Sequence, residues 1–247
     1  MCWSAEASAT FATVGFVGTG YLTYKREDKA IWLPLAYFSA MELLQALTYP
    51  VINHCDLPQN QLLTLLGIIH ICFQPFFLNM MALHFIPAPV RRKISPYVYG
   101  ACLVGAALFM LRLYPFAWAG ACAVGWEPLC ADRLCAVSGS WHIAWEAPSN
   151  GLSWTLLGYF VPVFLVPILY GAWRCTLYHL LAGPLVAAML TNNANEWPAV
   201  WCLMSVGLIL LTYIAPVRRS FYVRHWWLWG DDLNRETDRV GALVNQA

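Results

Sequence analysis

Glu42 and Gln45 stand three residues apart, and His70 and Gln74 four apart, each pair inside a long apolar stretch. Those spacings put each pair on one face of a helix. A carboxyl and an imidazole brought together could relay protons or hold a metal ion, and with the two amides they could seat a polar ligand. Glu42, Gln45, His70 and Gln74 are therefore the ligand-contact candidates, with Glu42 and His70 the candidate ligands of a metal ion. The alternative is that these side chains only hydrogen-bond two helices together, a common use of polar groups in membranes. Cys2 joins Glu42 and His70 as a catalytic candidate, because removal of Met1 would leave a cysteine with a free α-amino group, able to act as nucleophile, metal ligand or acyl acceptor.

The elements that must position these residues are membrane spans. Of 247 residues, 60% are hydrophobic and 11% charged, against about 25% charged in soluble domains. A near-zero net charge and thirteen Trp argue against nucleic-acid binding, which needs a basic face. No phosphate-cradling glycine loop and no internal repeat is present. Seven stretches approach the roughly 20 apolar residues a span requires, at about 5–24, 30–52, 60–86, 96–117, 152–172, 176–191 and 197–216, the sixth being short and holding Gly183-Pro184.

The opening "MCWSAEASAT" has no basic region and does not read as a cleaved signal peptide. The first basic cluster, "YKRED", follows the first apolar stretch and places the N-terminus outside. With seven spans, Lys25, Arg26, Lys29, Arg91, Arg92, Lys93, Arg174, Arg218, Arg219, Arg224, Arg235 and Arg239 then fall inside, and only Arg112 and Arg133 outside. The expectation is an all-α integral membrane bundle of seven transmembrane helices, N-terminus outside and C-terminus cytoplasmic, in a bacterial inner membrane. A Cys- and Trp-rich outer loop covers 118–151. Residues 217–247 form an aromatic and basic interfacial segment followed by a cytoplasmic tail.

Counting helical rises puts Glu42 about 18 Å from the inner edge and His70 about 15 Å from the outer edge, at similar depth. An ionisable side chain there costs about 2.5–3.5 kcal/mol on insertion scales and should have a partner. The polar stripe of the third span is thus expected to face the second, His70 and Gln74 meeting Glu42 and Gln45. His84 and His179 read as interfacial histidines near the inner face. Polar residues of the outer rim, among them His142, Asn195 and Glu196, sit directly above the spans and could frame an outward-facing pocket. Cys2, Cys55, Cys122, Cys130 and Cys135 fall outside, where disulfides form; Cys72, Cys102, Cys175 and Cys202 read as small buried hydrophobes.

The opening "MCWSAEAS" and "WPAVWCLMSV" in the last span resemble a poorly characterised family of small bacterial integral membrane proteins that begin Met-Cys-Phe/Trp-Ser-Ala and carry a late Trp-Cys pair. That resemblance implies no catalytic residues. Alkaline-ceramidase-like hydrolases share a seven-span, N-outside plan, but the histidine pair of their last helix has no counterpart in Trp197–Ile214, and a retinal protein would need a lysine there. Three functions stay open: binding or transport of a small molecule through the Glu42/Gln45/His70/Gln74 cluster, an intramembrane enzyme acting on a lipid or amphiphile, and a subunit of a larger membrane complex with protein partners.

Overall fold

Apolar runs that open on a capping side chain or on a proline set the first four helices. The computed structural model describes residues 3–230 and Asn234; Cys2, Arg235 and Arg239 lie outside the described residues. Helix α1 (Ala5–Tyr24) starts at Ser4, whose hydroxyl accepts from the Ala7 N–H. Helix α2 (Lys29–Thr48) starts at Asp28, whose carboxylate accepts from the Ala30 N–H at 2.9 Å and is held below the usual carboxylate range chiefly by that bond. Helices α3 (Pro58–His84) and α4 (Ala88–Met110) each carry proline in the first turn, where its missing N–H costs nothing. The stretches Lys29–Val51, Pro58–His84 and Ala88–Leu113 are long and apolar enough to cross a membrane.

The later apolar segments are more broken. Helix α5 (Ser153–Leu169) is interrupted by a π-turn at Val161–Leu165. Helix α6 (173–190) comprises Trp173–Leu180, a π-turn at Leu181–Leu185 and Val186–Leu190. Helix α7 (Trp197–Leu211) turns by 104° into the short α8 (Ala215–Phe221). In α5 the Val166 N–H reaches back to the Val161 carbonyl, so the Pro162 carbonyl is freed. The Asn79 Nδ2 of α3 donates to that oxygen at 2.8 Å, and also to the Pro75 carbonyl at 2.8 Å, while Tyr170 donates to Asn79 Oδ1 at 2.9 Å. Asn79 thereby cross-links two proline-bent helices, the compensation that irregular backbone needs in an apolar setting.

Consecutive helices pack as neighbours from α1 to α5, and α7 closes against α1, α2 and α6. Two contacts depend on absent side chains. A Cβ on Gly15 of α1 would strike Ser39 of α2, and one on Gly105 of α4 would strike the Gly158 carbonyl of α5. Such small-residue seams let helix backbones approach closely.

The fold departs from an all-α reading at one place. Strands β1 (Cys135–Ser138) and β2 (Ile143–Glu146) pair antiparallel, Cys135 opposite Glu146 and Ser138 opposite Ile143. Four-residue strands carry too little periodicity to read from sequence, and tertiary partners hold this pair. Asn60 of α3 donates to the Ala136 carbonyl and accepts from the Ala136 N–H, and a disulfide joins Cys135 to Cys55. A second disulfide joins Cys122 to Cys130. Trp145 of β2, 2% exposed, lies over Gly67, where a Cβ would meet its ring. Arg112 and Arg133 sit at this disulfide-bonded end and are paired with acids, Arg112 with Glu127 at 3.0 Å and Arg133 with Glu146 at 3.3 Å.

The opposite end is basic. Arg218 of α8 grips Glu27 with two hydrogen bonds, Arg174 donates to the Ser220 carbonyl, and His84 lies 3.3 Å from Asp28 and 3.2 Å from the Tyr222 hydroxyl. These contacts fold α8 back across the bundle. Helix α4 starts eight residues before the expected span, because Pro87 ends α3's turn and seeds a new helix through Arg91–Lys93.

Candidate functional site

The polar side chains of α3 do not form one stripe facing α2. His70 keeps its ring on the α2 side, stacked on Tyr37 at 3.7 Å. Gln74, one turn on, is turned toward α7 and α5: its Nε2 lies 2.9 Å from Cys202 Sγ and its Oε1 accepts from the Tyr159 hydroxyl at 2.6 Å. Asn79 serves α5, as above. This corrects the expected pairing of His70 and Gln74 with Glu42 and Gln45: the carboxyl oxygens of Glu42 and both amide atoms of Gln45 have no hydrogen-bond partner. The reason is helix adjacency, since α7 packs beside α2 and its Cys202 takes Gln74 of α3.

Gln74 and Tyr159 open onto a cavity of about 440 Å³. Ile71 and Gln74 of α3, Phe109 of α4, Leu156, Tyr159 and Phe160 of α5, the Leu181–Leu185 turn of α6 and Trp197, Pro198 and Trp201 of α7 form its walls, under a roof of Pro128 and Leu129. The lining is almost wholly apolar, with Gln74, Tyr159 and Trp201 its few polar groups. The space exists because two helices are irregular. Gly183 in the π-turn of α6 lets the Trp201 indole lie against its backbone, where any Cβ would collide with the ring, and that indole donates to His179 Nε2 at 2.9 Å. His179 is therefore a buried packing partner, 7% exposed, rather than the interfacial histidine expected. Phe160, Leu181 and Leu185 are 40, 49 and 47% exposed, so the cavity mouth faces sideways between α5 and α6.

A second polar group lies between α1, α2 and α7. Glu42 and Gln45 are fully buried, and the Ser8 hydroxyl of α1 approaches the Glu42 carboxyl without forming a well-shaped hydrogen bond. Above them, at the disulfide-bonded end, the Glu196 carboxylate caps the hairpin turn. It accepts from the Trp141 and His142 backbone N–H groups, from Ser140 and from Thr191. His142 Nδ1 accepts from its neighbour Ile143 N–H at 2.7 Å and lies 3.1 Å from the Tyr49 hydroxyl. Burial lowers the His142 pKa to about 3, so its ring is neutral at physiological pH.

No hydrogen bond joins Glu42 and His70, and among the described residues no three His, Cys, Asp or Glu side chains converge. Tyr159, Phe109 and Leu156 carry no mark in the sequence, because aromatic and leucine residues within apolar runs look alike whatever they face; the signals beside them are the helix breakers Pro162 and Gly183-Pro184.

No curated protein and no solved structure matches the chain. A family described as one of unknown function, DUF5765, matches residues 6–222, and since that is most of the 247-residue chain, the chain belongs to this family.

Proposed function

We propose that the protein is a seven-span membrane protein, N-terminus outside, that binds a small single-chain amphiphile taken sideways from the bilayer. The observation that carries this reading is the 440 Å³ cavity, within the roughly 300–1,000 Å³ of small-molecule sites and, like them, apolar with a few polar groups. A mouth walled by Phe160, Leu181 and Leu185 suits an acyl chain arriving through lipid better than a solute arriving through water. Gln74 and Tyr159, hydrogen-bonded to each other, offer the amphiphile's polar end one amide and one hydroxyl to exchange for its own groups.

Support for the membrane setting comes from outward apolar side chains on successive helices, among them Val17, Leu47, Leu62, Val104 and Met189, each more than half exposed; contiguous apolar surface of this kind needs a cover. The orientation rests on two features at opposite ends. The disulfides favour an oxidising exterior, and the basic cluster of Arg91, Arg92, Arg174 and Arg218 favours the cytoplasmic face. Arg112 and Arg133, the two exceptions, each have an acidic partner. Resemblance to small bacterial membrane proteins would put the chain in an inner membrane.

Energy transfer from tryptophan to a fluorescent polyene fatty acid tests the reading, because Trp197 and Trp201 line the cavity. Saturable transfer at one fatty acid per chain is expected, and its loss in Ile71→Trp, whose added ring has the cavity as its nearest free space. Transfer that never saturates, or that survives in Ile71→Trp and in Leu156→Trp from the opposite wall, would defeat it.

A further inference from the structure

We propose that Glu42 is a buried proton-binding site that exchanges with the aqueous phase at the disulfide-bonded end of the bundle. The inference stands apart from the cavity reading, since neither Glu42 nor Gln45 lines the 440 Å³ cavity. Four polar atoms of two fully buried side chains, Glu42 Oε1 and Oε2 and Gln45 Nε2 and Oε1, lack partners. Buried polar groups are nearly always paired, and an ionised carboxylate left alone in an apolar interior is costly enough to neutralise instead.

What completes the pair has to be small and has to supply a donor. The titratable and polar groups near Glu42 are Ser8 on α1, Cys202 on α7 and Tyr49, the residue that follows α2. None is a cation, and among the described residues no set of three metal-binding side chains converges. Ser8 Oγ already accepts from the Trp3 indole at 2.9 Å. A proton on one carboxyl oxygen meets these constraints without added volume: the acid O–H can donate to Gln45 Oε1, one turn away on the same face, and the other carboxyl oxygen can accept from Gln45 Nε2 or from Ser8.

The same helix face supplies the way out. Glu42, Gln45 and Tyr49 follow at i, i+3 and i+7, a single stripe rising toward the disulfide-bonded end. Tyr49 stands between Glu42 below and Glu196 above, near enough to sense the charge of each, and its hydroxyl meets His142 Nδ1. That nitrogen already accepts the Ile143 N–H, so Tyr49 is the donor in this contact and a neutral ring carries its proton on Nε2, which is buried and unpartnered. The step is the protonation of a carboxylate by a proton from water on that side; no bond other than O–H forms, and nothing is oxidised or reduced.

The test is infrared spectroscopy of the full chain in lipid nanodiscs with side-chain carboxyls of glutamate labelled with ¹³C. At neutral pH a protonated-carboxyl C=O band is expected, absent in Glu42→Gln, displaced in Glu42→Asp, and shifted on transfer to D₂O more slowly in Tyr49→Phe than in wild type. Wild type showing no protonated glutamate band across the neutral range would overturn the proposal without recourse to any variant. So would a band that survives in Glu42→Gln, or one that emerges only when sodium is withdrawn, which would mean a metal cation in place of the proton. An exchange rate unchanged by Tyr49→Phe would overturn the route.

Discussion

Replacing each disulfide by a pair of alanines should separate the two by the length of chain each encloses. Cys55 and Cys135 are 80 residues apart, whereas Cys122 and Cys130 are 8 apart. Loop-closure entropy in the unfolded chain then assigns about 4.5 kcal/mol to the first and about 2.5 kcal/mol to the second. For a chain of this size these convert to drops of about 9–18 °C and about 5–10 °C in thermal midpoint. Each pair includes one cysteine that is fully buried, Cys135 and Cys130, so the packing loss is similar and the difference is left to the loops. The long bridge also fixes the α2–α3 connection to the hairpin that covers Gly67, so its loss should free Trp145 as well. The assay is the folded fraction after stepwise heating in mild detergent, followed by size-exclusion fluorescence, for Cys55→Ala/Cys135→Ala beside Cys122→Ala/Cys130→Ala. Equal shifts, or a larger one for the short loop, would refute the loop-length reasoning. Reaction of the untreated protein with a thiol reagent at any of these four positions would refute the bridges themselves.

Three further predictions address packing and charge. Asn79→Leu removes the donors to the Pro75 and Pro162 carbonyls and the acceptor of Tyr170; interhelical hydrogen bonds in membranes average about 0.6 kcal/mol each, so a loss of about 1–2 kcal/mol in detergent unfolding is expected, and a stabilised variant would contradict the cross-link. Gly105→Ala should lower the thermal midpoint because its Cβ meets the Gly158 carbonyl, while Gly100→Ala, with open space around it, should not; equal behaviour of the two would count against the α4–α5 seam. Burial holds His142 near a pKa of about 3 against an ordinary 6.5, so between these values the unfolded chain takes up a proton that the fold refuses. Stability is therefore full above pH 6.5 and declines as pH falls, by at most about 1.4 kcal/mol per pH unit. His142→Asn should flatten the thermal midpoint between pH 7 and pH 5, and an unchanged slope would exclude His142 as its source.

Helices α1 to α3 were legible as long apolar runs with a capping residue or proline at the start, and α4 only from its apolar part onward, because its first turns run through Arg91–Lys93. The hairpin was not, since its four-residue strands depend on Asn60 and a disulfide from distant parts of the chain. Polar residues inside the apolar runs were visible as such, and their burial between helices follows from the cost of leaving polar groups unpaired in apolar surroundings. Their partners were not visible: spacing places His70 and Gln74 on one face of α3, but only the position of α7 decides that Gln74 meets Cys202 and Tyr159 and leaves Glu42 to a different group. The cavity was hidden for a related reason. Its walls are aromatic and aliphatic residues indistinguishable by type from lipid-facing ones, and the volume arises from two π-turns, of which the sequence shows only Pro162, Gly183 and Pro184.

Native mass spectrometry of the protein released from mild detergent tests the central claim most directly, with wild type, Ile71→Trp and Glu42→Gln compared. One bound amphiphile of acyl-chain size is predicted on wild type and on Glu42→Gln, and none on a folded Ile71→Trp. A wild type that flies empty under conditions that preserve its fold, or an Ile71→Trp variant that keeps the same adduct, would contradict the assignment of the cavity as the binding site.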